Sequence, residues 1–154
     1  MILILLPAYN EEISFPSLMK KLRNVLQEVT KDYKILVCND GSTDNTSEIL
    51  TEYSKEFPLV VIDHTINRGL GESSRDLFEL AVEIGNDGDI IIRMDCDDTH
   101  EPKYIPDIIK KLDQGYDVVV ASRFEKGGGQ MGVDGYRAFI SRGANLFMKI
   151  FFPI

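Results

Sequence analysis

Ile90-Ile91-Ile92-Arg93-Met94-Asp95-Cys96-Asp97-Asp98-Thr99-His100 decides the fold, because an apolar run ends abruptly in three carboxylates within four positions. A short non-alternating run of this kind is the pattern of a strand buried on both faces. Four further runs share it: Ile2–Leu6, Ile35–Cys38, Leu59–Ile62 and Val118–Ala121. Between them lie segments with apolar residues every three or four positions. Phe15, Leu18, Met19, Leu22, Val25, Leu26 and Val29 form one such face, with Ser14 as its expected cap and Pro16 near its start. Ile49, Leu50, Tyr53 and Phe57 form a second, opened by Asp44-Asn45-Thr46; Leu77, Phe78, Ala81 and Ile84 a third; and Ile105, Ile108, Ile109 and Leu112 a fourth. Strand and helix in strict alternation predict an α/β domain with a doubly wound, mainly parallel sheet flanked by helices. In such sheets ligands bind beyond the carboxyl ends of the strands, and the polar motifs of this chain fall there.

The 154 residues, 44% hydrophobic and 27% charged, fit one domain with a sizeable core. A net charge of −8 opposes phosphate-backbone binding, so nucleic acid is not an expected partner. An acidic chain that handles phosphates needs a divalent cation or a few arginines at the site. The two cysteines, Cys38 and Cys96, have no zinc-ligand spacing and fit a reduced cytoplasmic interior. Met1–Leu6 lacks the basic flank of a signal peptide and reads as a buried strand. Residues 136–154 become strongly apolar, which implies either peripheral contact with a membrane or docking against a missing C-terminal region.

Asp95, Asp97 and Asp98 repel one another unless a cation neutralises them, and hard oxygen ligands of this kind suit Mg²⁺ or Mn²⁺. A solvated acidic turn leading into Glu101-Pro102 is the bland alternative. Pro7-Ala8-Tyr9-Asn10-Glu11-Glu12 sets a ring and a carboxylate at the tip of the first strand, where they suit a base and a sugar hydroxyl or serve only as a capped loop. Asn39-Asp40-Gly41-Ser42-Thr43-Asp44 follows the second strand and offers Asp40 to a base N–H, or is an ordinary capping turn. Asn67-Arg68-Gly69-Leu70-Gly71 precedes a helix and has amides suited to a phosphate. Arg123 and Arg137 are the candidates for balancing phosphate charge. His64 reads as a solvated histidine and His100 as support for the acidic cluster. The Asn39–Asp44 loop lacks GxGxxG spacing and no GxxxxGK[ST] occurs anywhere, which disfavours dinucleotide dehydrogenases and P-loop NTPases.

Taken in order, Pro7–Glu11, Asn39–Asp44, Asn67–Gly71, Met94–Asp97 and Ser122-Arg123-Phe124 resemble the signature of family 2 inverting glycosyltransferases of the GT-A, Rossmann-like fold. Within that family the chain is most similar to dolichol-phosphate mannose synthases and related polyprenyl-phosphate sugar transferases. The resemblance implies a single nucleotide-sugar-binding catalytic domain over residues 1–154, lacking the C-terminal part with which the family normally continues. It implies that Pro7, Tyr9, Glu11, Cys38 and Asp40 surround the nucleoside, and that Asp95, Cys96 and Asp97 meet the diphosphate. It further implies that Asp95, Asp97 and Thr99 face Mn²⁺ or Mg²⁺, and that Arg123 and Arg137 hold phosphates. Asn39 stands where the family usually has aspartate, and Cys96 where alanine is common.

The implied reaction moves a sugar from GDP-mannose or a UDP-sugar, with inversion and divalent-metal assistance, to a polyprenyl or dolichyl phosphate. Asp95, Asp97, Arg123 and Arg137 are its catalytic candidates, at the cytosolic face of a membrane. Three other readings stay open at this point. One is a fragment that binds nucleotide sugar without turnover. A second is a sugar-phosphate nucleotidyltransferase, although Pro7–Glu12 lacks that class's glycine-rich basic loop. A third is a phosphoacceptor receiver domain, although Ser122-Arg123 stands where that class needs lysine.

Overall fold

The structure, a computed structural model, describes residues 1–30, 32–97, 100–122, 143–144 and 147–148. The chain divides into two compact units, Met1–Asp117 and Val118–Ile154. The first holds the sheet: β1 (Ile2–Ala8), β2 (Tyr33–Asn39), β3 (Leu59–Asp63) and β4 (Ile90–Arg93), all parallel and ordered β3-β2-β1-β4. The chain winds outward from β1 through β2 to β3 and then returns to place β4 on the other side of β1. The switch point of the sheet therefore lies between β1 and β4.

Helices α1 (Ser14–Val29), α2 (Thr46–Tyr53), α3 (Leu70–Ile84) and α4 (Ile105–Leu112) complete this unit, with a 3₁₀ turn over Pro102–Tyr104 before α4. The pleat of β1 explains why both faces are covered, since successive side chains point to opposite sides. Ile2, Ile4, Leu6 and Ala8 pack with Phe15, Leu18, Met19, Leu22 and Leu26 of α1, Leu50 of α2 and Ile105 of α4. Leu3 and Leu5 pack the other way, with Leu36, Cys38, Leu77 and Ala81. Each such fully buried Leu or Phe side chain stabilises the fold by about 1.5–3 kcal/mol relative to exposure. Sequestering all seven residues of β1 makes it the centre of the core and gives its tip a rigid base.

Four departures from the sequence reading have physical causes. Val118–Ala121 form no strand, and Val118 and Val120 are 78% and 79% exposed, because a strand needs a ladder partner and this run has none among the described residues. Only β1 is buried along its whole length, and β2 is buried from Ile35 onward; β3 and β4 each have a sheet neighbour on one side and leave Val60 and Ile91 partly exposed. Ser14 is the first residue of α1 and not its cap, and its hydroxyl bonds the Glu11 carboxylate. Helix α2 ends at Tyr53, so Phe57 reaches the core from the following turn, where it stacks on Tyr53 at 5.7 Å. Among the described residues no helix is long and apolar enough to cross a membrane.

Candidate active site

Three loops leave the carboxyl ends of β1, β2 and β4 and meet across the switch point. The first two are laced together. The Asn10 amide donates to the Ser42 hydroxyl at 3.0 Å, and the Asn10 side-chain oxygen accepts from the Thr43 amide at 2.8 Å. The Glu11 amide donates to the Thr46 hydroxyl at 2.8 Å, and the Glu12 amide to Asp44 at 3.2 Å. Asn10 sits at φ 58°, in the left-handed region that a short polar residue tolerates better than other L-residues. This lacing aims Tyr9 and Glu11. Asn10→Ala is accordingly expected to cost about 2 kcal/mol, through strain and lost hydrogen bonds. Asn10→Gly, which relieves the strain, is expected to cost about 1 kcal/mol less in chemical unfolding; equal losses would show that φ carries no strain here.

The loops enclose a cleft of about 440 Å³. Pro7, Tyr9 and Glu11 line it from the β1 side, Asp40 from β2, and Asp95, Cys96 and Asp97 from β4. Seven of the residues expected at a nucleotide-sugar site thus share one cavity. Cys38 does not line it: the thiol is buried below, with Sγ 3.6 Å from His64 Nε2, and burial pushes it up to about 11. Thr99, Arg123 and Arg137, together with Asp98, lie outside the described residues.

Asp95 is held from both sides. Arg93 pairs with Oδ1 at 2.7 Å, while His100 accepts the Asp95 amide on Nδ1 at 3.0 Å and sets Nε2 3.4 Å from Oδ2. His100 thereby supports the cluster, as its position in the sequence suggests. Asp97 is exposed at the mouth. The Glu11 carboxyl is raised by burial against the opposing Ser14 hydrogen bond, and by repulsion from Asp97, Asp44 and Asp95. Cys96 is buried beside them, and desolvation, followed by the charges of Glu11, Asp97 and Asp95, raises its thiol and keeps it protonated.

Among the described residues no group of three His, Cys, Asp or Glu side chains converges to hold an ion. Mg²⁺ and Mn²⁺ do not require one, because they keep several waters and take one or two carboxylates plus substrate phosphates. Asp95 and Asp97 on one wall, facing the Glu11 carboxyl that burial and then their repulsion raise, supply hard oxygen donors to a cation. The residues present fit such an ion.

The fourth wall comes from the Asn67–Gly71 motif together with Ser73, a residue no sequence motif marks. Asn67, Gly69, Leu70 and Ser73, from the β3–α3 connection and the first turn of α3, close the cleft. The Arg68 and Gly69 amides, expected to face a phosphate, instead donate to Asp40 Oδ1 and Oδ2, each at 2.8 Å. The Arg68 guanidinium pairs with Asp76 at 3.1 Å and Glu72 at 3.2 Å. His64 is not solvated: its side chain is 5% exposed, with Nδ1 2.6 Å from Asp40 and Nε2 2.9 Å from Asp76. Burial acts to raise the Asp40 carboxyl, but the bonds from His64 and the two amides outweigh it and leave Asp40 below its ordinary value.

A parallel sheet with an acidic cleft at its switch point defines a GT-A type α/β domain, and solved structures of that architecture superpose on it. The crystal structure of S. aureus TarS 1-349 in complex with UDP-GlcNAc matches with a TM-score of 0.61 and 21% identity, over 81% of this chain and 38% of that one. Glucosyl-3-phosphoglycerate synthase from Mycobacterium tuberculosis in complex with UDP matches with a TM-score of 0.51 and 22% identity, over 73% of this chain and 39% of that one. The sequence model of the family described as Glycosyl transferase family 2 matches residues 3–148, and the chain belongs to that family. A dolichol-phosphate mannosyltransferase of Pyrococcus furiosus is 34% identical over 150 residues, which are 97% of this chain and 41% of that protein's length. Membership in this family sets aside the receiver-domain and nucleotidyltransferase readings.

Proposed function

We propose that this chain carries the donor site of a glycosyltransferase that moves a sugar from a nucleoside diphosphate to a polyprenyl phosphate, with inversion at the anomeric carbon. The observation that carries the reading is the gathering of Tyr9, Glu11, Asp40, Asp95 and Asp97 around one cleft at the switch point of the sheet. The name of the Pyrococcus furiosus relative supports the lipid-phosphate acceptor, and the UDP-GlcNAc bound to TarS supports a nucleotide-sugar donor.

In this reading Tyr9 and Pro7 flank the base, and Glu11 and Asp40 accept hydrogen bonds from base or ribose. Asp95 and Asp97 hold Mg²⁺ or Mn²⁺ against the diphosphate, with Thr99 as the further polar group. The ion, when bound, neutralises negative charge on the leaving nucleoside diphosphate. Arg93 and His100 fix the Asp95 carboxylate, so that it would meet the ion without reorganising. Arg123 and Arg137 add positive charge to the phosphates. A phosphate acceptor is already anionic near neutral pH and attacks without a general base, whereas a hydroxyl acceptor would need one. The proposed protein works at the cytosolic face of a membrane, with residues 1–154 as one catalytic domain.

The test is a transfer assay with radiolabelled GDP-mannose, UDP-glucose and UDP-GlcNAc, each offered dolichyl phosphate in detergent with Mg²⁺ or Mn²⁺. Labelled lipid is expected from at least one donor and is expected to disappear with chelator. Donor binding with no lipid product from any pair would replace this reading with nucleotide-sugar binding without turnover.

A further inference from the structure

His64 lies one residue past β3, and its ring is enclosed on every side by groups that respond to its charge. Asp40, just past the end of β2, faces Nδ1 at 2.6 Å, and Asp76 of α3 faces Nε2 at 2.9 Å. The Arg68 guanidinium approaches Nε2 to 3.5 Å from the loop before α3, and the Cys38 thiol lies 3.6 Å away in β2. The His64 amide also donates to the Asn39 carbonyl at 2.9 Å, which fixes the backbone beneath the ring. A neutral imidazole carries one N–H, so with carboxylates at both nitrogens one lone pair would face an anion. Only the imidazolium donates to both.

Asp40 belongs to the cleft, and the carboxylate that His64 holds is the one that binds the Arg68 and Gly69 amides. Those amides lie on either side of the Arg68 Cα, and Asn67 and Gly69 beside them line the β3–α3 wall of the cavity. Removing the proton from His64 leaves Asp40 and Asp76 competing for one N–H. The side chain and the loop it anchors then lose a charge-assisted bond and a fixed orientation.

We propose that His64 is a positioning residue: as an imidazolium bridging Asp40 and Asp76, it fixes the Asp40 carboxylate and the Asn67–Gly69 wall in the arrangement that binds a nucleoside diphosphate. This rests on the nucleotide-site reading of the cleft and adds a residue and a pH dependence to it. The sign follows from the bonds: Asp40 and then Asp76 raise His64 above its ordinary value against the opposing effect of burial. The stabilising contribution is therefore complete below about pH 6.5, the unfolded value. It is lost as pH rises through the higher folded value, and nucleotide affinity falls over the same interval.

The experiment pairs two measurements on the full chain. Ring nitrogen shifts of His64, assigned by their loss in His64→Gln and told apart from His100 with His100→Gln, follow protonation from pH 6 to 9.5. Calorimetry with GDP and UDP in Mg²⁺ follows affinity over the same range. Both nitrogens of His64 are expected to be protonated at pH 7. Wild-type affinity is expected to fall about tenfold as they titrate, while His64→Gln is weakened about tenfold at pH 7 and has a flatter profile. Asp76→Asn leaves Asp40 in place and serves if His64→Gln does not fold; it is expected to move the His64 midpoint and the affinity midpoint together to lower pH. The inference is overturned by a neutral His64 at pH 7, by parallel pH profiles in wild type and His64→Gln, or by an affinity midpoint that ignores Asp76→Asn. Failure of wild type to bind GDP or UDP at any pH overturns the nucleotide reading itself, and the inference with it. Binding that His64→Gln retains in full overturns the inference alone.

Discussion

Asp97→Asn is expected to lower the Mn²⁺-dependent affinity for the nucleoside diphosphate about a hundredfold and to leave the thermal unfolding of the metal-free protein within about a degree of wild type. The asymmetry follows from where the side chain is. Asp97 is exposed at the mouth of the cleft, beyond the end of β4, and is not among the residues that make up the core. Its substitution by an isosteric amide removes one unit of charge and little packing. Surface changes of that kind usually alter stability by no more than about 0.5 kcal/mol. A lost metal carboxylate weakens the grip on the diphosphate by several kcal/mol, and about 2.7 kcal/mol corresponds to a hundredfold. Calorimetry with and without Mn²⁺ reads the first quantity and scanning fluorimetry the second. A variant that binds nucleotide as wild type does in Mn²⁺ would remove Asp97 from the ion's ligands.

Gly41→Ala is expected to destabilise the fold by about 2–4 kcal/mol and to weaken nucleotide binding at least tenfold, a double effect that few cleft substitutions would have. Gly41 has φ 68°, which alone disfavours a Cβ. The added carbon would also lie 2.4 Å from the Ile66 carbonyl carbon and 2.5 Å from the Asn67 nitrogen, so backbone and not a flexible side chain must give way. The displaced segment carries Asn67 into the cleft wall. Gly69→Ala is the internal comparison: φ is 90° there, but nothing lies within 4 Å of a built Cβ. Gly69→Ala is thus expected to cost only the backbone strain, about 1–2 kcal/mol. Urea unfolding of the two variants separates clash from strain, and equal losses would contradict the close approach at Gly41.

The centre of the fold was readable because it is governed by local pattern. Ile2–Leu6 and Ile35–Cys38 are apolar without alternation, and both runs are fully enclosed in the two central strands. The loop positions followed from the parallel order, which is why Tyr9, Asp40 and Asp97 fell in one cavity as expected. What could not be read depends on partners distant in sequence. His64 looked like a polar residue in a loop because its two carboxylates lie 24 and 12 positions away, and only the folding of β2 and α3 around it makes it an ionic bridge. The Arg68 and Gly69 amides have the composition of a phosphate turn, but Asp40 reaches them first. Val118–Ala121 has strand-like composition, yet composition does not supply a neighbouring strand. Phe78 falls on the periodic apolar set of α3 but is 45% exposed, because the helix buries a narrow stripe centred on Ser73, Leu77 and Ala81.

The most direct measurement is calorimetric titration of the wild-type chain with GDP-mannose, UDP-glucose and UDP-GlcNAc, each in Mn²⁺ and again in excess chelator. The site built from Tyr9, Glu11, Asp40, Asp95 and Asp97 predicts saturable binding of at least one donor, weakened tenfold or more by the chelator. Binding of no nucleotide sugar, or equal affinity with and without the ion, would contradict it.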